Sequence, residues 1–146
     1  MLVDVAKEHS LILVKPDGYE RGLTGEVLRR IEAKGYKLVG LKVLVADAEL
    51  LGQHYSEHRE KPFYGSLVEY MSSGPVVAIA VEGDRVIEGM RSLMGATNPT
   101  TAAPGTIRGD LGRDWGTGNM ENIVHGSDSP ESAKRELGLW FPELGL

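Results

Sequence analysis

The 146-residue sequence contains no cysteine, which removes disulfides, thiolate nucleophiles and thiolate metal ligands together. Basic residues are few. Lys and Arg number 16 against 21 Asp and Glu, a formal charge of −5, which argues against a surface that coats nucleic acid but leaves room for a local basic pocket. Proline is limited to 7 positions, so even with 19 glycines the composition stays clear of low complexity. The four histidines lack the H-E-x-x-H spacing of a zinc site. No apolar run is long enough to cross a bilayer, and no charged-then-apolar leader opens the chain. The expectation is one cytoplasmic domain over 1–146, with no membrane and no nucleic-acid partner, large enough to bury a core without staples.

Punctuation by glycine and proline divides the chain. Leu11–Val14 is a short apolar run ending at Lys15, after which Pro16-Asp17-Gly18 reads as a turn. Thr24 is placed to cap a helix with Val27, Leu28 and Ile31 on one face, closed by Gly35. Tyr36–Val45 partly alternates, as a strand with one covered face does. Asp47 is placed to cap a second helix carrying Leu50, Leu51 and Tyr55. Pro62 suits the first turn of a third, in which Phe63, Leu67 and Met71 share a face. Val76–Val81 is a continuous apolar strand, and Val86–Met94 a short helix bearing Arg91. Gly95–Glu121 has no sustained periodicity, and a loop of that length in a compact domain is usually functional or disordered. A strand at Asn122–Gly126 and a helix started by Ser129-Pro130-Glu131 complete the chain. Reduced to its core the order is β-α-β-β-α-β, an α+β ferredoxin-like pattern with helices on one face of a four-stranded antiparallel sheet.

Neither G-x-x-x-x-G-K-[ST] nor G-x-G-x-x-G is present, so any bound phosphate must be held by side chains. Lys15, Arg91 and Arg108 are the candidates, although from charge alone they read as solvated surface cations. His125 stands at a strand end in Asn122-Ile123-Val124-His125-Gly126-Ser127-Asp128. Neutral imidazole attacks phosphorus well, and Glu136 in the next helix can fix its tautomer; a lone histidine is otherwise a structural residue. His54 and His58 form an i, i+4 pair without a third ligand and read as a solvent-facing helix edge. Tyr55, Phe63 and Leu67 are plain core by their spacing, or leave one ring exposed to stack on a flat ligand.

Together these residues resemble the nucleoside diphosphate kinase family. Asn122–Asp128 matches its N-x-x-H-G-S-D signature. Val14–Gly18 with Glu20-Arg21-Gly22, His54-Tyr55 with Lys61-Pro62-Phe63, Thr97-Asn98-Pro99 with Pro104–Asp110, and Gly138-Leu139-Trp140-Phe141 resemble four further family motifs in order. The resemblance implies ping-pong transfer of a γ-phosphoryl group from a nucleoside triphosphate to a nucleoside diphosphate through phosphohistidine on His125, with broad base tolerance. It implies that Glu136 orients the ring, with Ser127 supporting that carboxylate. Lys15, Arg91, Thr97 and Arg108 surround the phosphates, and Asn122 holds the sugar hydroxyl beside Lys15. Tyr55 lies near His125, Phe63 stacks on the base and Leu67 lines that edge. Mg²⁺ arrives on the nucleotide, with Asp128 near its waters and no direct protein ligand. The family also implies a homo-oligomer, tetramer or hexamer, built from dimers. One departure stands out: Leu111–Glu121 is a few residues longer than is common, and Glu121 occupies a position that is often basic.

Overall fold

A computed structural model of the chain describes residues 7–116 and 121–146. The elements are β1 (Glu8–Val14), α1 (Pro16–Glu20), α2 (Thr24–Ala33), β2 (Lys37–Leu44), α3 (Ala48–His54), α4 (Tyr64–Met71), β3 (Val76–Gly83), α5 (Val86–Met94), α6 (Ile107–Leu111), β4 (Val124–Gly126) and α7 (Pro130–Trp140). Among the described residues the strands form one antiparallel sheet in the order β2-β3-β1-β4, the ferredoxin-like arrangement anticipated from the element order.

Helices cover both faces of this sheet rather than one. Period-2 alternation sends Ile12, Val14, Val77, Ile79 and Val81 to one side, where they meet Val27 and Ile31 of α2 and Val86, Met90 and Met94 of α5. It sends Leu11, Leu13, Val76, Ala78 and Ala80 to the other, against Leu51 of α3, Met71 of α4, and Leu137 and Trp140 of α7. The unbroken apolar runs of β1 and β3 are what two covered faces require. Edge strand β2 is different: Leu41 and Val43, with Val45 just past its end, are each more than half exposed.

Local chemistry explains most element ends. Asp47 Oδ1 accepts from the Leu50 amide at 2.8 Å, and Ser129 Oγ accepts from the Ser132 amide at 3.1 Å, so both expected caps hold. Thr24 is instead the first helical residue of α2. The preceding Leu23 carbonyl takes the Val27 amide at 3.0 Å, and no side chain caps that end. Lys34 is the C-cap there, with Gly35 following at φ +100. Pro16-Asp17-Gly18 starts the helical α1 rather than a simple turn, because proline at the first position presets the helical φ. The third expected helix begins at Tyr64, two residues after Pro62. The long segment after Gly95 contains α6, whose N-cap Thr106 accepts from the Gly109 amide at 3.0 Å; five residues are too few to show a period. Arg113 and Glu121 then exchange backbone hydrogen bonds of 2.8 and 2.9 Å, drawing together the ends of the extended stretch, of which 117–120 lie outside the described residues.

β4 begins at Val124, not Asn122, because Ile123 adopts φ +72 and leaves the ladder. A β-branched residue in the left-handed region is a genuine outlier costing about 1–3 kcal/mol. It is held by its amide donating to Asp17 Oδ2 at 3.1 Å and its carbonyl accepting from the Lys15 amide at 2.7 Å. The Tyr70 hydroxyl secures the other Asp17 oxygen.

Candidate active site

The β1–β4 pairing sets Leu13 opposite His125, which delivers the imidazole to the mouth of a 410 Å³ cleft. Gly126 lets α5 pack closely beside it: a Cβ there would meet Met94 Cε at 2.5 Å, so the methionine would have to shift. One face of the imidazole is governed by α7. His125 Nε2 lies 2.9 Å from Glu136 Oε1, and Ser127 Oγ donates to the same oxygen at 2.8 Å. Ser127 Oγ in turn accepts from the Leu11 amide at 3.1 Å, so the carboxylate is anchored to the central strand. Burial opposes ionisation of Glu136, but the His125 hydrogen bond and charge, with His54 and Ser127, outweigh it and hold the carboxyl below its usual range. An ionised Glu136 fixes the proton of His125 on Nε2, which leaves Nδ1 with its lone pair.

Three cations converge opposite. Lys15, at the β1–α1 junction, donates to Asn122 Oδ1 at 2.9 Å, and burial, seconded by Arg108, pushes its ammonium down to about 8 against the pull of Asp17. Arg108 of α6 donates to three carbonyls: Asn122 at 3.3 Å through Nε, Gly95 at 2.9 Å through Nη1 and Val124 at 2.7 Å through Nη2. Burial, with Arg91 nearby, lowers it to about 10. Asn122 Nδ2 donates to the Thr97 carbonyl at 3.0 Å, tying the loop after α5 to the site. Arg91, Thr97, Asp128 and Tyr55 also line the cleft, and burial raises the Tyr55 hydroxyl well above its ordinary pKa.

Phe63 and Leu67 are absent from the cleft lining. Phe63 is 47% exposed, its ring 5.4 Å from that of His58, while Leu67 is partly buried against the core under α4. Their spacing therefore marked core for Leu67 and an open ring for Phe63. Glu121, at the departure in the sequence, accepts from Trp115 Nε1 at 2.8 Å within its own loop.

His54 is not on a solvent-facing edge. It is 4% exposed, and its Nδ1 accepts from Trp140 Nε1 at 3.0 Å. Its ring centroid sits 4.7 Å from that of His125, with the planes at 71°. Burial, with His125 adding, pushes it down to about 3. The signal was present in the sequence, since Leu50, Leu51 and His54 share a face at i, i+3 and i+4 spacing. His58, by contrast, lies past the end of α3 in a 3₁₀ turn and also reaches the cleft. Donor atoms of His54, His125 and Glu136 fall within 4.8 Å of one another. The hydrogen bonds already made by His54 Nδ1 and Glu136 Oε1 make this cluster a proton-ordering network.

Comparison with known proteins bears on the chemistry of this cleft. The family model described as nucleoside diphosphate kinase matches residues 8–145. A nucleoside diphosphate kinase from Deinococcus radiodurans is 57% identical over 134 residues, 92% of this chain and 94% of that protein. One from Trichormus variabilis is 55% identical over 139 residues, 95% of this chain and 91% of that protein. Among solved structures, the Halobacterium salinarum nucleoside diphosphate kinase in complex with CDP superimposes with a TM-score of 0.87 at 46% identity, covering 93% of this chain and 88% of that one. The Borrelia burgdorferi enzyme, a transition-state mimic with bound vanadate and ADP, gives a TM-score of 0.87 at 37% identity, covering 92% and 87%.

Proposed function

This chain belongs to the nucleoside diphosphate kinase family and is a phosphotransferase, and from that premise we propose that it relays the γ-phosphoryl group through His125 Nδ1. The observation that carries the reading is the division of the imidazole: Nε2 is engaged by Glu136, while Nδ1 is free to act in a cleft that also holds Lys15, Arg91 and Arg108. Nδ1 donates its lone pair to the γ-phosphorus of a nucleoside triphosphate. The bond from phosphorus to the bridging oxygen breaks, and its electron pair leaves on the nucleoside diphosphate. The phosphorylated ring keeps the Nε2 proton and is cationic, and ionised Glu136 stabilises that charge. A terminal phosphate oxygen of a second diphosphate then attacks the phosphorus and restores neutral His125. No base need remove a proton in either half, so positioning and charge stabilisation carry the catalysis.

Lys15, Arg91 and Arg108 supply charge to the equatorial oxygens, with Thr97 at the same wall and Asn122 directing Lys15 and the sugar hydroxyl. Tyr55 lies beside the imidazole pair. Phe63 offers an open ring face on which any base can stack, with Leu67 behind it, which favours broad base tolerance. The donor set suits Mg²⁺ carried on the nucleotide. Glu136 is already occupied by two hydrogen bonds, and Asp128 presents an exposed carboxylate suited to a water of the hydrated ion. When bound, Mg²⁺ neutralises charge on the phosphates. No helix among the described residues is long and apolar enough to cross a membrane, and we take the chain as one domain throughout.

The test is steady-state exchange between ATP and a different nucleoside diphosphate, with both concentrations varied. Parallel double-reciprocal lines are expected; intersecting lines mean a ternary complex and defeat the relay. Stoichiometric nucleotide binding without turnover would leave a binding module that has lost catalysis.

A homo-oligomer built from dimers is proposed from the edge of the sheet. Leu41, Val43 and Val45 leave an apolar stripe beside the outer edge of β2, which no strand among the described residues pairs, the kind of edge that soluble proteins cover. Val43→Glu buries two unpaired carboxylates in a symmetric interface, each costing about 3–5 kcal/mol, so the sedimenting mass is expected to fall to that of the monomer. An unchanged mass would move the interface elsewhere.

A further inference from the structure

We propose that His54 is a positioning residue for the phosphoryl relay, held neutral by Trp140 so that its edge packs on His125 without opposing the charge the phosphorylated ring acquires. This rests on His125 being the nucleophile. Trp140 is a donor only, and its Nε1–H points at His54 Nδ1 at 3.0 Å, with both groups buried. That bond fixes the tautomer: Nδ1 accepts, and the proton of the neutral ring is on Nε2. Protonating His54 would set its new Nδ1–H against the indole N–H, two donors facing each other between buried side chains. Trp140 thereby blocks the cationic form sterically and electrostatically.

The need for such a block follows from what lies 4.7 Å away. When Nδ1 of His125 takes the phosphoryl group, its ring becomes cationic while Nε2–H stays on Glu136. A second imidazolium edge-on to it would raise the barrier, whereas a neutral ring adds only packing. The charged groups facing His54 are His125 from β4, Glu136 and Arg135 from α7, and Lys15 from the β1–α1 junction. Arg135 also donates to the His54 carbonyl at 3.2 Å. Helix α7 therefore carries both controls one turn apart: Glu136 reads the proton on His125, and Trp140 reads the absence of one on His54.

The experiment follows single-turnover phosphorylation of the wild type, Trp140→Phe, and the double variant His54→Phe/Trp140→Phe by γ-labelled ATP and Mg²⁺, between pH 5 and 8. Alkali-stable label on wild type first establishes the relay; its absence refutes the phosphohistidine reading itself, independently of His54. Given that label, Trp140→Phe lets His54 return toward an ordinary imidazole pKa; a value about one unit above pH 5 leaves roughly a tenth of the ring neutral, so the rate there is expected to fall about tenfold, and by less than about threefold at pH 8. Nucleotide affinity stays unchanged. The double variant keeps ring volume at both positions and has no second imidazole to protonate, so its acid limb should return to that of wild type. A Trp140→Phe profile parallel to wild type at every pH overturns the proposal, as does a double variant that remains as acid-sensitive as the single. Thermal unfolding of each variant, read alongside, separates rate from folding.

Discussion

Replacing His125 with alanine is expected to leave the fold intact and to lower phosphoryl exchange by about 10⁴–10⁶-fold, the scale seen when a nucleophile is removed from a site that otherwise survives. The fold is expected to survive because His125 is only partly buried, on a three-residue strand whose packing comes from Val124 and its neighbours. Glu136 loses one partner but keeps the Ser127 hydroxyl and Arg135, whose Nη2 lies 3.8 Å from its second oxygen. The variant should still bind nucleotide, since none of Lys15, Arg91 and Arg108 depends on the imidazole. The measurement is phosphoenzyme trapping with γ-labelled ATP and Mg²⁺, quenched in alkali. Acid-labile, alkali-stable label should appear on wild type alone and discharge on adding GDP. Substantial exchange or label in the folded, nucleotide-binding variant would place the covalent intermediate on another residue.

Arg108 should give the second-largest effect, and it should appear in two readouts at once. A guanidinium has five N–H donors, and three are already committed to the carbonyls of Gly95, Asn122 and Val124. One N–H on each of Nη1 and Nη2 remains for phosphate. Arg108→Ala therefore strips these carbonyls of the guanidinium, only that of Asn122 keeping the Val124 amide at 2.7 Å, which lowers unfolding free energy by about 2–4 kcal/mol, and it removes transition-state charge stabilisation of about 10²–10³ in rate. Arg108→Lys separates the two roles. An ammonium keeps the charge but cannot reproduce the planar fork, so it should recover part of the stability while exchange stays at least tenfold down. Denaturant melts beside exchange assays check this. Full activity in Arg108→Lys would mean that charge alone matters there, and the shared use of the fork would be wrong.

The parts of the fold set by side-chain chemistry near an element's end were legible in advance. Asp47 and Ser129 were identifiable as caps because the hydrogen bond each makes is local to four residues. Continuous apolar runs identified β1 and β3, although the two covered faces they imply were not drawn from them. What escaped depended on partners distant in the chain. Ile123 leaves the β region because Asp17 and Lys15 hold it, which its own identity opposes. α6, which carries Arg108, has five residues, too few for any period. His54 differs: its burial follows from the face it shares with Leu50 and Leu51, while the Trp140 indole that engages its Nδ1 lies 86 residues away. The residues that meet at the cleft, Lys15, Tyr55, Arg91, Arg108, Asn122 and His125 among them, could be named from ordered motifs, whereas Phe63 and Leu67 lie outside its lining. The hydrogen bonds that divide the His125 ring between Glu136 and the cleft could not.

Position 123 has a consequence for anyone who would engineer this chain for heat resistance. Its left-handed backbone invites glycine, which would release strain of about 1–3 kcal/mol. The isoleucine side chain, however, is fully buried in the core shared by β1 and α5, and losing such a chain costs about 2–5 kcal/mol, so the exchange is a net loss. Gly18 is held by the converse demand, for a Cβ there would approach Val14 Cγ1 at 2.8 Å and Ile123 Cγ2 at 3.0 Å. Ile123, together with Val14, thus keeps position 18 a glycine. In a library of variants both positions should stay fixed, and single-site optimisation will find no improvement at either.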